Sequence, residues 1–244
     1  MKKTQRINDI TSLKAAIVIT FLIMVLSWYQ LNSFTPSFKI LDPVPNQRAE
    51  KIKYLGDKNM VFRANSVGLQ NAGDTFGRVT GLHEYDYSTV YEWLKFLEKN
   101  DKHSQFTPAL AAYYFGATDK IADLAYVMQF LEGNYYIDPA RKWWWLFLSV
   151  HIAKNKLHDL NEALRLANIL AATPNERIPK WARQMPAFIL EAQGELEEAL
   201  AIIKYVADNY DDLEPHEINF MNYFIKDRLG FTEETLKQQT TEQK

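Results

Sequence analysis

The chain has 244 residues, of which 47% are hydrophobic, 14% aromatic and 24% charged, with no cysteine and a formal net charge of −2. Without cysteine it has no disulfide scaffold, thiolate metal site, thiol nucleophile, iron–sulfur cluster or covalent haem. The near-neutral charge and the lack of any nucleic-acid-binding motif argue against a nucleic-acid partner, and nine glycines and nine prolines disfavour a strand-and-turn architecture.

Residues 1–12 form a basic leader with Lys2, Lys3 and Arg6, expected on the cytoplasmic side. The run Leu13–Leu31, "LKAAIVITFLIMVLSWYQL", follows, and its centre Ala15–Leu26 has no charge and only one hydroxyl, Thr20. At ~1.5 Å per residue such a run spans about 30 Å, the thickness of a bilayer's hydrocarbon. Trp28 and Tyr29 suit the interfacial aromatic belt. An uncleaved anchor is favoured over a cleaved signal peptide, because Trp and Tyr directly follow Val25-Leu26-Ser27 and no Ala-x-Ala site occurs. The expected topology is a cytoplasmic N-terminus and an exported C-terminal domain.

Residues 32–52, with three prolines in the stretch Asn32–Arg48, read as an extended stalk. From 53 to 230 the pattern predicts helices almost throughout. Asp57 is expected to cap the first, with Gly73 as its stop. Asp86 or Ser88 should open a helix carrying Val90, Trp93, Leu94 and Leu97, and Thr107-Pro108 the next. Another is expected over Thr118–Gly133, then one from Asp138-Pro139 carrying "ARKWWWLFL". Leu160, Ala163, Leu166, Ala167 and Leu170 form the apolar face of the clearest amphipathic helix. Residues 231–244 are polar and read as a disordered tail.

Three adjacent tryptophans cannot line one wall of a box, because successive helical residues point ~100° apart. Trp145, Leu148 and Ile152 are therefore assigned to the core, Trp144 to contact with an adjacent hairpin, and Trp143 to the surface. Arg63 interrupts an apolar run and is expected to pair with Asp57 or Asp74.

Ala187–Asn209 reads as a helical hairpin with Gly194 at its turn and Ala199 five residues on. Ala163 holds the corresponding place thirty-six residues earlier, and Gly116 with Ala122 suggests a more degenerate hairpin. This pattern resembles the tetratricopeptide repeat, whose small residue lets the two helices of a hairpin approach closely. The order of Leu55-Gly56-Asp57, Trp143–Trp145 and Pro179–Arg183 is further similar to a loose group of bacterial envelope-anchored tetratricopeptide-like proteins. That resemblance implies an all-α, short α-solenoid of antiparallel hairpins behind a single transmembrane helix in the bacterial inner membrane. It carries no catalytic residues.

The expected function is a non-enzymatic scaffold or adaptor that binds a protein or peptide partner in a groove lined by the first helix of each hairpin. Groove candidates on those helices are Tyr113, Tyr114, Lys142, His151, Lys154, Arg183 and Gln184. No motif points to a cofactor or a metal: "HEYD" at His83 lacks a second ligand, and "GLQNAGDTFGR" has no Gly-Lys-Ser/Thr. Two rivals stay open, namely an envelope enzyme or accessory subunit with a small-molecule site near 68–87, and a structural subunit of a membrane complex.

Overall fold

A computed structural model describes residues 2–32, 39–74, 79–210 and 213–232, with side chains in the first helix from Lys14 to Gln30. The described residues are helical, without strands. The chain divides into two units, 1–39 and 40–244.

The first unit is one helix, α1 (Lys2–Asn32). Its large apolar side chains from Ile17 to Tyr29 are 41–73% exposed. Among the described residues no helix is long and apolar enough to cross a membrane.

The second unit starts before the expected boundary at 53. Ile40, Leu41 and Val44 pack against the main core, and Trp93 Nε1 donates to the Asp42 carbonyl at 2.8 Å. α2 (Gln47–Lys53) is capped by Asn46 and held by the Glu50 carboxylate, which accepts from Asn65 Nδ2 at 2.8 Å. The segment 40–53 is thus folded, because its apolar residues have a core to join. The tail expected at 231–244 lies outside the described residues beyond Thr232.

α3 (Lys58–Gln70) begins at Asp57, whose side chain accepts from Asn59 and Met60 N–H, as expected of an N-cap. Arg63 lies on its exposed face and makes no ion pair among the described residues. Asp57 is occupied by capping and Asp74 does not pair with Arg63, so the expected partnership is not formed among the described residues. α4 (Tyr87–Asn100) is capped by Asp86, whose carboxyl is held below its usual range chiefly by the Thr89 and Ser88 hydroxyls.

α5 (Phe106–Ala109) widens into a π turn over Leu110–Tyr114 and closes as a 3-10 turn at Phe115–Ala117. It starts before the expected Thr107, because the Ser104 hydroxyl accepts from Phe106 N–H at 3.1 Å while Thr107 is buried. α6 is Ile121–Tyr135 and runs past Gly133. α7 (Pro139–Ile152) has proline in its first turn and ends in a second π turn, Ala153–Leu157. α8 (Leu160–Ala172) is capped by Asp159. The short α9 (Lys180–Arg183) leads into α10 (Met185–Gln193), which Gly194 stops with φ +86°, a conformation glycine reaches without a steric penalty. α11 (Leu196–Asn209) and α12 (Pro215–Tyr223), the latter ending in a third π turn Phe224–Arg228, complete the series.

Sequence neighbours pack together: α6 touches α4 and α7, α8 touches α7 and α10, and α10 touches α11. Short connections make α7–α8 and α10–α11 hairpins. Leu160 and Leu196 start equivalent second helices thirty-six residues apart, and Ala163 and Ala199 are both fully buried three residues in. In the earlier hairpin the equivalent position is Leu124, which is buried, whereas Ala122 is exposed and plays no packing part. A Cβ on Gly116 would meet the Ala111 carbonyl at 3.4 Å and Val127 Cγ1 at 3.8 Å, ordinary van der Waals contact, so this hairpin does not depend on a glycine there. The core forms one large cluster from Val61 to Ile189 and a smaller one from Ala187 to Leu229.

Candidate functional site

α7 is apolar almost all round, so neighbours cover it on most sides. Trp145 and Ile152 are core residues as expected, with Trp145 Nε1 donating to Gln105 Oε1 at 2.6 Å. Leu148 is half-buried. Trp144 reaches the preceding hairpin, donating to the Tyr113 hydroxyl at 2.8 Å, but it is also the more exposed of the other two tryptophans at 36%. Trp143 is half-buried, because Trp181 stacks edge-on against it at 5.6 Å. The expected contact of Trp144 with an adjacent hairpin is thus formed, whereas Trp143, expected at the surface, is the more covered of the two.

These rings belong to a row. Phe147, one turn along α7, lies 5.0 Å from Trp144 and 5.2 Å from Trp181 in ring centroids. Beyond Phe147 a cleft of about 290 Å³ opens, lined by Phe147, Val150, His151, Lys154, Asn155, Met185, Phe188, Phe220 and Arg228. Phe188 continues the row to Phe220 at 5.9 Å, and Phe220 to Tyr223 at 6.4 Å. The row therefore runs from Tyr113 across α7, α9, α10 and α12, and Trp181, Phe220 and Tyr223 on it are 38–52% exposed. Partly exposed aromatic rings in a concave setting offer large contact area at low entropic cost.

Two of the three π turns frame the cleft. Lys154 and Asn155 lie in the one that ends α7, and Arg228 in the one that follows α12. Such widened turns redirect side chains and recur at functional sites. Lys154 Nζ donates to the Phe188 carbonyl at 3.1 Å and pairs with no carboxylate among the described residues. Burial holds its pKa below the usual lysine value, Glu191 opposing that effect. Two ammonium protons are left for an acceptor from outside. Arg228, by contrast, is engaged by Glu191 through contacts of 2.7 and 2.6 Å and lies over the Phe224 ring.

The expected groove residues divide. Tyr113, His151 and Lys154 belong to this face, and Tyr114 is half-buried against Phe115 beside it. Lys142 does not reach the groove. It is 1% exposed, and its ammonium donates to the Lys102 carbonyl at 2.6 Å, so a position in the first turn of α7 ties down the α4–α5 connection. Gln184 is equally buried at the α9–α10 junction, its Oε1 without a partner among the described residues. Arg183 spends its donors on the Ala171 and Asn175 carbonyls, both at 2.9 Å, closing the end of α8. It lines separate clefts of about 570 and 500 Å³ with Tyr210. Those clefts and one of about 410 Å³ between α11 and α12 are larger, but none joins an aromatic row to a cation without an acidic partner. Phe147, Trp181, Phe188 and Phe220 are the members that sequence reasoning missed.

The region 68–87 is stapled rather than hollow where it is described. The Tyr85 hydroxyl donates to the Ala72 carbonyl and occupies the space that a Cβ on Gly73 (φ +87°) would need. Thr80 Oγ1 donates to the Gly73 carbonyl at 2.9 Å. Among the described residues, no group of three His, Cys, Asp or Glu side chains could hold a metal ion. No family model, curated protein or solved structure matches this chain.

Proposed function

We propose that the chain is a single-pass, membrane-anchored adaptor of the bacterial inner membrane. Its helices form a short tetratricopeptide-like solenoid that docks an extended segment of a partner protein along the row Tyr113–Trp144–Phe147–Trp181–Phe188–Phe220. The observation that carries this reading is that row, partly exposed across α7, α9, α10 and α12 and leading into a cleft with Lys154 at its wall. Apolar or proline-bearing side chains of the segment cover the rings, and a carboxylate or carbonyl meets the Lys154 ammonium. The work is non-enzymatic, a matter of holding two chains together.

The anchor is Leu13–Leu31. Support comes from its charge-free centre and from the Ile17–Tyr29 large apolar side chains, which are 41–73% exposed. Such an apolar helix is stabilised by lipid at about 25 cal/mol per Å² removed from water. Lys2, Lys3 and Arg6 favour a cytoplasmic N-terminus and an exported domain.

The test is site-specific photo-crosslinking of the full chain in its native membrane. A benzophenone amino acid at Trp181 or Phe220 is expected to trap one discrete protein. The same probe at Tyr205, exposed on the second helix α11, is expected to trap none. Equal products from all three positions, or none from 181 and 220, would overturn the adaptor reading.

A further inference from the structure

The loop between α2 and α3 carries a second surface that the groove does not use. α2 ends with Tyr54 as its C-cap, and Leu55 follows with φ +52°. Gly56 N–H donates to the Lys51 carbonyl at 2.6 Å and Leu55 N–H to the Ile52 carbonyl at 3.1 Å. That is the bond pattern of a Schellman turn, in which the left-handed residue is normally glycine. Here the glycine is displaced by one place and leucine takes the strained position. Leu55 is nevertheless 96% exposed and Ile52 77%, so neither gains burial within this chain.

The surroundings of this tip are basic. Lys51, Lys53 and Lys58 are exposed around it. Of the acids nearby, Glu50 is buried and bound to Asn65 and Lys53, and Asp57 is taken up by the cap of α3. An apolar tip ringed by lysines is complementary to an anionic lipid interface: the side chains of Leu55 and Ile52 enter the acyl boundary while the ammonium groups stay among the phosphates. We propose that this loop is a second membrane contact, binding the anionic surface of the bilayer. It follows Leu31 by about 24 residues, well within the reach of an extended chain. The proposal takes only the nearness of a membrane from the anchor reading. Each lysine close to such a surface strengthens binding about fivefold. The contact would fix the folded unit on the lipid and restrict the directions its groove can face.

The absence of cysteine makes the test direct. An environment-sensitive nitrobenzoxadiazole dye is placed on Leu55→Cys, or on Glu197→Cys as an exposed control, in the full chain. The labelled chain is mixed with vesicles of phosphatidylcholine alone or with phosphatidylglycerol added, then floated on a density gradient. The expected result is flotation with both vesicles, and a blue-shifted emission quenched by lipid-borne nitroxide at position 55 only, strong on the anionic vesicles. The combined change of Lys51, Lys53 and Lys58 to Gln should remove the shift without preventing flotation. Flotation on both with position 55 as wet as position 197 overturns the loop contact and keeps the anchor. Flotation on anionic vesicles alone, with the shift at 55, overturns the anchor and keeps the loop contact. Flotation on neither overturns both.

Discussion

α7 places identical residue types in opposite situations on its two sides. On one side Trp145, Leu146, Ser149 and Val150 are buried and interlocked with neighbouring elements. On the other, Trp144 and Phe147 join Trp181 in a row that stays partly open to solvent. The buried side completes its hydrogen bonds within the protein: Trp145 to Gln105, Lys142 to the Lys102 carbonyl, Ser149 to the Trp145 carbonyl. On the open side the Trp144 indole donates to the Tyr113 hydroxyl, which is itself exposed. A cluster of tryptophans is thus neither wholly core nor wholly site. The helix buries one arc within the folded unit and leaves the other partly exposed.

Substitutions on the two arcs are expected to separate stability from binding. The largest stability loss is expected for Leu146→Ala, which leaves a cavity at a fully buried position. Chemical denaturation should show a loss of about 2–5 kcal/mol. Ala163→Leu tests the helix that covers this arc. Ala163 is fully buried where α8 meets its partner, and the added volume should cost about 1–3 kcal/mol by the same measurement. A neutral outcome would mean that the small residue is not what brings the hairpin together.

Lys142 gives a smaller, pH-dependent effect. Burial lowers its pKa in the folded chain from the ordinary 10.5, with Glu98 opposing that shift. Below the folded value both states hold the proton and the cost of burying the charge is fully present. As pH rises from that value towards 10.5, the unfolded chain keeps the proton longer, so stability increases with pH. The difference in unfolding free energy between the parent chain and Lys142→Met should therefore move in the parent's favour over that window. A flat difference would place the ammonium in contact with water.

Much of the buried arc was legible beforehand. Asp57 and Asp86 cap helices because a short acceptor before an amphipathic run has few other uses. Gly194, Ala163 and Ala199 marked the tightest hairpins for the same local reason. The open arc was harder to read. Which tryptophan lies outward depends on the rotation of α7, and Trp181 of the next hairpin covers Trp143 to fix it. Lys142 and Gln184 looked like surface residues by type, and only the carbonyl at Lys102 and the α9–α10 junction explain their burial. The π turns at 110–114, 153–157 and 224–228 follow from packing between helices and leave no periodic signal in the sequence. Without them Lys154 and Arg228 could not be brought to one cleft by inspection.

The central claim is that the open aromatic row exists for a partner. It is tested most directly by the Trp144→Ala, Trp181→Ala double variant carrying the photo-crosslinker at Phe220, compared with the parent chain at equal folded concentration in the native membrane. Removing two rings that are 36% and 38% exposed should cost only about 1–2 kcal/mol of stability. Loss of two anchor residues should lower the cross-linked yield more than about tenfold. An unchanged yield from a folded variant would contradict the account.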